Sequence, residues 1–413
     1  MPEMLHAIRI RHSADIPEAF RHHQISLPRH DGVDAQAVVV DLDESDDADR
    51  LRLAAVRHWW SADHSRLPRR VGRMTELSEE HSPALNVADL GLIDPALVAE
   101  PGCPVTTPGA DVRRTWVAAT RYRVTESDRP PQKRCGWVPY TLAFARGWDT
   151  KPAEPEDHPP FLSGLGAGLT HAAAVDDAWA ALAVEDALWR WWAAEQPEVI
   201  ETASAMHPEV SDLLGPAPGP VTLQVLPARL GGVVTLAAVD DGEIIALGGG
   251  YGNDARAQRS AIARAFWQLV VARSLSDAGS AMYRAGTSGL PAHRTDRGYL
   301  AASGPRHRTL LDPIAHVQLL IDPVVRNLIR DRLDAPARLD DRKTATDSGG
   351  RVAALSTPPH DVAWRIDLSP PDNPSGVCVR PLVPGTATIP LGAFPPDAVV
   401  TATPSGVTPY PGW

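Results

Sequence analysis

Two places in this sequence put backbone donors where an anion could sit. Ser163-Gly164-Leu165-Gly166-Ala167-Gly168-Leu169-Thr170 leads directly into HAAAVDDAWAALAVEDALWRWW. Gly248-Gly249-Gly250-Tyr251-Gly252-Asn253-Asp254 leads into ARAQRSAIARAFWQLVVARSL. Both downstream stretches read as helices, the first to about Trp192 and the second from about Ala255 to Leu275, with Thr170 and with Asp254 or a nearby residue as N-caps. Glycines before a helix let N–H groups approach a phosphate, and the helix N-terminus adds a favourable field. The same pattern also serves as a purely structural turn.

The order of motifs carries more than any one of them. Gly164, Ala167, Gly168, Ala174, Ala178, Asp186, Trp191 and Trp192 fall without a gap on a Ser/Gly/Ala-rich turn, a helix of the form A-L-L-E-x-I-E-R-D and a Trp pair. The second helix resembles the pattern A-x-x-R-A-x-x-E-x-x-Q-x-R, with Gln268 and Val271 at its E and Q positions. His316-Val317-Gln318-Leu319-Leu320-Ile321-Asp322-Pro323 is close to H-L-x-F-Y-L-D-P. Asp367-Leu368 and Val379-Arg380-Pro381-Leu382-Val383-Pro384-Gly385 are close to V-D-L and V-R-V-x-V-P-G. Together these segments resemble the YcaO family, well over 137–413 and loosely before that. The resemblance implies an α+β fold with antiparallel strands packed against helices and two glycine-turn helices flanking a cleft. It implies an N-terminal α/β portion, 1–140, and a core, 141–413.

Members of that family bind ATP and activate a peptide amide oxygen as a phosphorylated hemiorthoamide, giving azolines, thioamides or amidines. Magnesium neutralises the phosphate charge and takes oxygen ligands, mostly carboxylates. The family supplies these as i, i+3 pairs on the two helices, and such pairs share a helix face. Here the four positions are Ala181, Val184, Gln268 and Val271. A one-residue shift brings Glu185 into a Glu position but breaks the match at Asp186, Trp191 and Trp192. Nothing acidic lies between Asp254 and Asp277 to repair the second helix. The pieces kept are Ser163, Gly164, Gly168, Asp186, Arg273 and Arg380, the two arginines resembling phosphate-contacting ones. Other readings stay open. Ala181 and Val184 fit an apolar helix face, Asp186 fits an ion pair with a nearby Arg, and Arg264, Arg273 and Arg380 fit surface positions or salt bridges. His158, His171 and His316 do not have the spacing of a metal site.

The resemblance and the lost carboxylates lead to a degenerate member that holds no metal and binds ATP with magnesium weakly or not at all, with residual nucleotide contacts at Ser163, Gly164, Gly168, Asp186, Arg273 and Arg380. Such a chain would act as a scaffold or peptide-binding subunit beside a precursor peptide, an active homologue or a leader-binding protein, as a homo- or hetero-oligomer. The alternative is an active ATP-dependent cyclodehydratase or thioamide-forming enzyme with a rearranged ATP–magnesium site. Some family members end in a Pro-rich tail that reaches the active site. The ending Thr408-Pro409-Tyr410-Pro411-Gly412-Trp413 partly matches it and also reads as an exposed tail.

Several elements position these residues. A strand is expected over 35–42 and a helix over 48–60, whose acidic start complements the helix dipole. Another strand is expected over 115–124. Runs at 221–226, 233–239 and 243–247 read as an antiparallel meander, with the Asp-Gly turn at Asp241-Gly242 as its clearest signal. Residues 65–108 read as irregular, and 149–160, 287–308 and 340–351 as loops. The chain has 413 residues, 43% of them hydrophobic, enough for a sizeable core. Its formal charge of -11 argues against non-specific binding to nucleic acid or anionic membrane. No stretch approaches the roughly 18–20 apolar residues of a membrane helix, and a cytoplasmic location is expected. Cys103, Cys135 and Cys378 are too scattered for a disulfide framework or a structural zinc site.

Overall fold

The structure is a computed structural model. It describes residues 6–10, 12, 16–27, 35–42, 48–62, 67–80, 82–93, 95–99, 103, 105, 106, 109, 111–123, 134–144, 163–194, 197–203, 205–215, 219–284, 290–304, 307, 310, 313–335, 362–370, 374–386 and 410. The expected loops 149–160 and 340–351 lie outside the described residues.

The chain opens with β1 (His6–Ile10), β2 (Phe20–Leu27), β3 (Ala35–Leu42) and α1 (Ala48–Ala62). The interval read as irregular holds β4 (Arg69–Gly72), α2 (Met74–Glu79) and α3 (Pro95–Val98). These are too short to show a period. Next come β5 (Arg114–Arg123), β6 (Arg134–Pro139), α4 (Tyr140–Ala143), β7 (Gly166–Gly168) and α5 (His171–Ala193). They lead to β8 (Glu201–Thr202), α6 (Pro208–Leu214), β9 (Val221–Pro227), β10 (Val233–Asp240), β11 (Ile245–Tyr251) and α7 (Ala255–Ser276). The chain continues with α8 (Ala281–Arg284), α9 (Tyr299–Ala302), α10 (Pro313–Gln318), α11 (Pro323–Leu333), β12 (Val362–Asp367) and β13 (Val377–Leu382). Within the expected loop 287–308, the described residues include α9, and Tyr299 and Ser303 are buried rather than exposed.

Every named ladder is antiparallel, in three sheets ordered β1-β2-β3, β11-β10-β9-β8 and β4-β5-β12-β13-β7, with β6 also paired to β5. The meander expected from the sequence is β9-β10-β11, and the fold is α+β. Both glycine runs differ from the expected turns. Gly166–Gly168 and Gly248–Gly250 are strand residues, and the turns proper fall at Gly164 (φ 70°) and Gly252 (φ 104°).

The strand glycines let the helices in. A Cβ on Gly248 or Gly250 would lie within 2.2 Å of α7 backbone, while one on Gly249 would lie 2.5 Å from Val184 of α5. Successive strand residues face opposite sides, so α7 and α5 cover opposite faces of β11, an edge strand. The other edge glycines repeat the device, with Gly166 and Gly168 closing on Ala174, Ala178 and Ala173 of α5. Opposite α5, helix α1 packs on β7 and β13. Helix α7 and helix α1 both also pack on β3. Helices α1, α5 and α7 therefore alternate with the three sheets. The main core, built on Trp189, Trp191, Phe266, Leu269 and the β10–β11 aliphatics, lies between α5, α7 and the β11 sheet.

Candidate functional site

Each of the three helices sends charge to one place. Thr170 Oγ1 accepts the N–H of Ala173 and so starts α5 at the glycine turn; Asp254 Oδ1 does the same for Ala257 on α7. From these fixed starts the helices advance about two turns. On α5 the positions Asp177, Ala181 and Glu185 stack at i, i+4 and i+8 on one face. Arg57 of α1 reaches Asp177 at 2.5 Å, and Asp177 also accepts the N–H of Ala167 at 2.9 Å. Ser163 Oγ donates to Glu185. Arg264 of α7 donates to the Gly249 carbonyl at 3.0 Å.

Arg264 is exposed by area, yet burial is the leading cause that lowers its pKa, followed by the like charge of Arg57. Glu185 is only partly exposed, and burial pushes its carboxyl up to about 7 against the opposing pull of Ser163, Arg264 and Arg380. Groups that lie deep and still touch solvent line a recess. Beneath it lies Arg380, fully buried, with Nη1 on the Leu142 carbonyl at 2.9 Å and its pKa lowered to about 10 by burial. Beside it the Cys378 thiol is pushed up to about 12 by burial and stays neutral.

Of the residues singled out from sequence, Ser163 and Arg380 meet here, and Gly164 and Gly168 shape the approach: Gly164 turns against Pro381, and Gly168 closes on α5. Asp186 does not join them. It points 100° round the helix from Glu185, is buried, and takes two bonds of 3.0 Å from Arg190. Arg273 is likewise elsewhere. Helix α7 runs back along β11, so its last turn reaches the β10–β11 turn, where Arg273 binds Asp241 at 2.9 Å. Among the four positions matched to metal ligands, Val184 and Val271 belong to the main apolar core, Gln268 is buried and Ala181 faces the recess. The two acids on the recess face of α5 are eight residues apart, about 12 Å along the axis, too far to share one ion. Among the described residues no group of three or more His, Cys, Asp or Glu could hold a metal ion, and no helix is long and apolar enough to cross a membrane. His171 pairs with Asp367 at 3.0 Å, and His316 lies 2.9 Å from the Tyr410 carbonyl oxygen; His158 lies outside the described residues.

Asp177, Glu185, Arg57 and Arg264 were not among the expected site residues. The i, i+4, i+8 spacing of Asp177, Ala181 and Glu185 was the available signal. Arg57 gave none, since it lies in the loosely matching third. Tyr410 reverses the exposed-tail reading: it is buried, with its ring edge-on to Trp192 at 6.1 Å.

No protein-family model matches the sequence, and no curated protein matches it. Solved structures do resemble the fold. One is a heterocyclase in complex with substrate and cofactor, at TM-score 0.55 and 15% identity, covering 93% of this chain and 50% of that one. This chain thus spans half the length of that heterocyclase. Another is YcaO from Methanopyrus kandleri bound with AMPPCP and Mg2+, at TM-score 0.52 and 15% identity, covering 92% and 86%. A third is a chain of the E. coli microcin synthetase McbBCD complex with pro-MccB17 bound, at TM-score 0.53 and 9% identity, covering 94% and 89%. The three-sheet arrangement around two glycine-edged helices is therefore the YcaO-like fold.

Proposed function

We propose that this chain is a non-catalytic, peptide-binding or scaffolding subunit in the modification of ribosomally made peptides of the azole or azoline type. The observation that carries this reading is the composition of the recess. The positions matched to magnesium ligands hold Ala181, Val184, Gln268 and Val271, two of them in the apolar core. The nearest carboxylates are engaged by the chain itself, Asp177 by Arg57 and Glu185 by Ser163. A triphosphate with its ions needs oxygen donors in a fixed array, and this donor set does not fit that need. The likeness in fold to a substrate-bound heterocyclase and to a microcin synthetase chain supports a setting of peptides and partner proteins. On this reading the subunit works in the cytoplasm, as part of a homo- or hetero-oligomer.

The alternative is an active ATP-dependent cyclodehydratase or thioamide-forming enzyme. Ser163 and Arg264 at the recess, with Arg380 buried beneath it, favour it, because a hydroxyl and a guanidinium group suit phosphate. Co-purification separates the two. The subunit reading expects the chain to retain a precursor peptide, a leader-binding protein or an active homologue. A monodisperse chain that retains none of these would count against it, and peptide-dependent ATP turnover by the chain alone would establish the alternative.

A further inference from the structure

The strand register lines up Trp364 of β12, Arg121 of β5 and Arg134 of β6 across one face of the sheet. Directly opposed residues of antiparallel strands share a face, with Cβ atoms about 5 Å apart. Trp364 is buried in the core behind this row, and its indole lies over Gly136, where a Cβ would stand 2.7 Å from the ring. The Arg121 guanidinium sits 5.9 Å from the Trp364 ring centroid, a cation–π contact that steadies it. Arg121 is half-buried and Arg134 exposed. Among the described residues neither guanidinium takes an ion pair or a hydrogen bond. We propose that the Arg121–Arg134 pair is a docking face for an acidic, extended peptide segment; this rests on the partner-binding role above and names the chemistry of that partner.

The local charge supports it. Strands β4, β5 and β6 together hold six arginines and no acidic residue. Of these, Arg70 is matched by Glu80. The sequence joining β5 to β6 offsets nothing, with two acids, Glu126 and Asp128, against two bases, Arg129 and Lys133. Like charges directly opposed across two strands destabilise a sheet, and a carboxylate placed between them relieves that cost through charge-assisted hydrogen bonds. The face is an open sheet surface, so its ligand must bring its own scaffold. An extended peptide presents alternate side chains about 7 Å apart on one side, within reach of two guanidinium groups on long stems. The chain as a whole carries -11. That charge repels a long polyanion such as nucleic acid, whereas a short acidic segment meets mainly the local field.

The probe is a short fluorescein-labelled peptide of alternating Glu and Ser, titrated into the full chain by fluorescence anisotropy. A Gln-Ser peptide and an oligothymidylate are the comparisons. The Glu-Ser peptide is expected to bind tightest of the three. Arg121→Gln is expected to weaken it about fivefold and Arg134→Glu about tenfold. Arg284→Glu, an equal charge change at an exposed position on α8, is expected to leave it unchanged. Melting curves establish that each variant is folded. No preference for Glu-Ser over Gln-Ser, tighter binding of the oligothymidylate, unchanged binding by Arg134→Glu, or an equal loss in Arg284→Glu would each overturn the proposal. Co-purification separates it from the subunit role: a partner retained equally by the wild-type chain and by Arg134→Glu would leave that role standing and overturn this docking face.

Discussion

Arg57 and Asp177, 120 residues apart, meet at 2.5 Å and tie the N-terminal third of the chain to the first glycine-turn helix. Asp177 does two things there, accepting from Arg57 and from the N–H of Ala167 in β7. It therefore fixes α1, β7 and α5 together at the mouth of the recess. Both side chains are about two-fifths exposed, so the ion pair alone contributes little; the backbone bond contributes more. Asp177→Ala is expected to lower stability by about 1–2 kcal/mol, and Arg57→Ala by less. Denaturant midpoints check this. An Arg57→Ala loss larger than that of Asp177→Ala would contradict it.

His22 ties the β1-β2-β3 sheet to α7. Its ring stacks on His12 at 5.1 Å and meets Trp267 edge-on at 4.6 Å. Burial, then the neighbouring His12 and His23, pulls its pKa down to about 4. The folded state thus favours neutral His22 more than the unfolded state does. Its stabilising effect is full above the unfolded value of 6.5 and is lost as pH falls toward 4, on the order of 3 kcal/mol in all. Chemical denaturation between pH 7 and 4 is expected to show this slope, and His22→Phe to flatten it. Equal slopes in the two chains would refute the assignment.

Tyr410 anchors the C-terminal end in the main core, packed on Trp192. Its hydroxyl is buried with no hydrogen-bond partner among the described residues. A buried hydroxyl without a partner costs stability, and a buried ring contributes it. Tyr410→Phe is therefore expected to be neutral or stabilising, and Tyr410→Ala to cost about 3–5 kcal/mol. Thermal melts of the two variants check the pair; a Phe variant as weak as the Ala variant would show that the hydroxyl is bonded after all.

The sequence made the glycine-turn helices legible because capping and apolar spacing are local. Thr170 and Asp254 cap where expected, and the meander follows from its Asp-Gly turn. What stayed hidden depends on distant contact. Nothing local says that Gly249 faces α5 while Gly248 and Gly250 face α7, or that α7 runs back to put Arg273 on Asp241. The recess was half legible. Ser163 and Arg380 lay in motifs, whereas Glu185 is one position off a matched site and is defined by its contact with Ser163.

Calorimetric titration of the full chain with ATP, with and without magnesium, separates a non-catalytic subunit from an active enzyme. The donor set expects no magnesium-dependent increment, and at most weak binding through the arginines. Introducing Ala181→Glu with Gln268→Glu, which leaves Val184 packed over Gly249, is expected to create a measurable increment. Tight magnesium-dependent binding of ATP by the unmodified chain would instead mark it as an active enzyme.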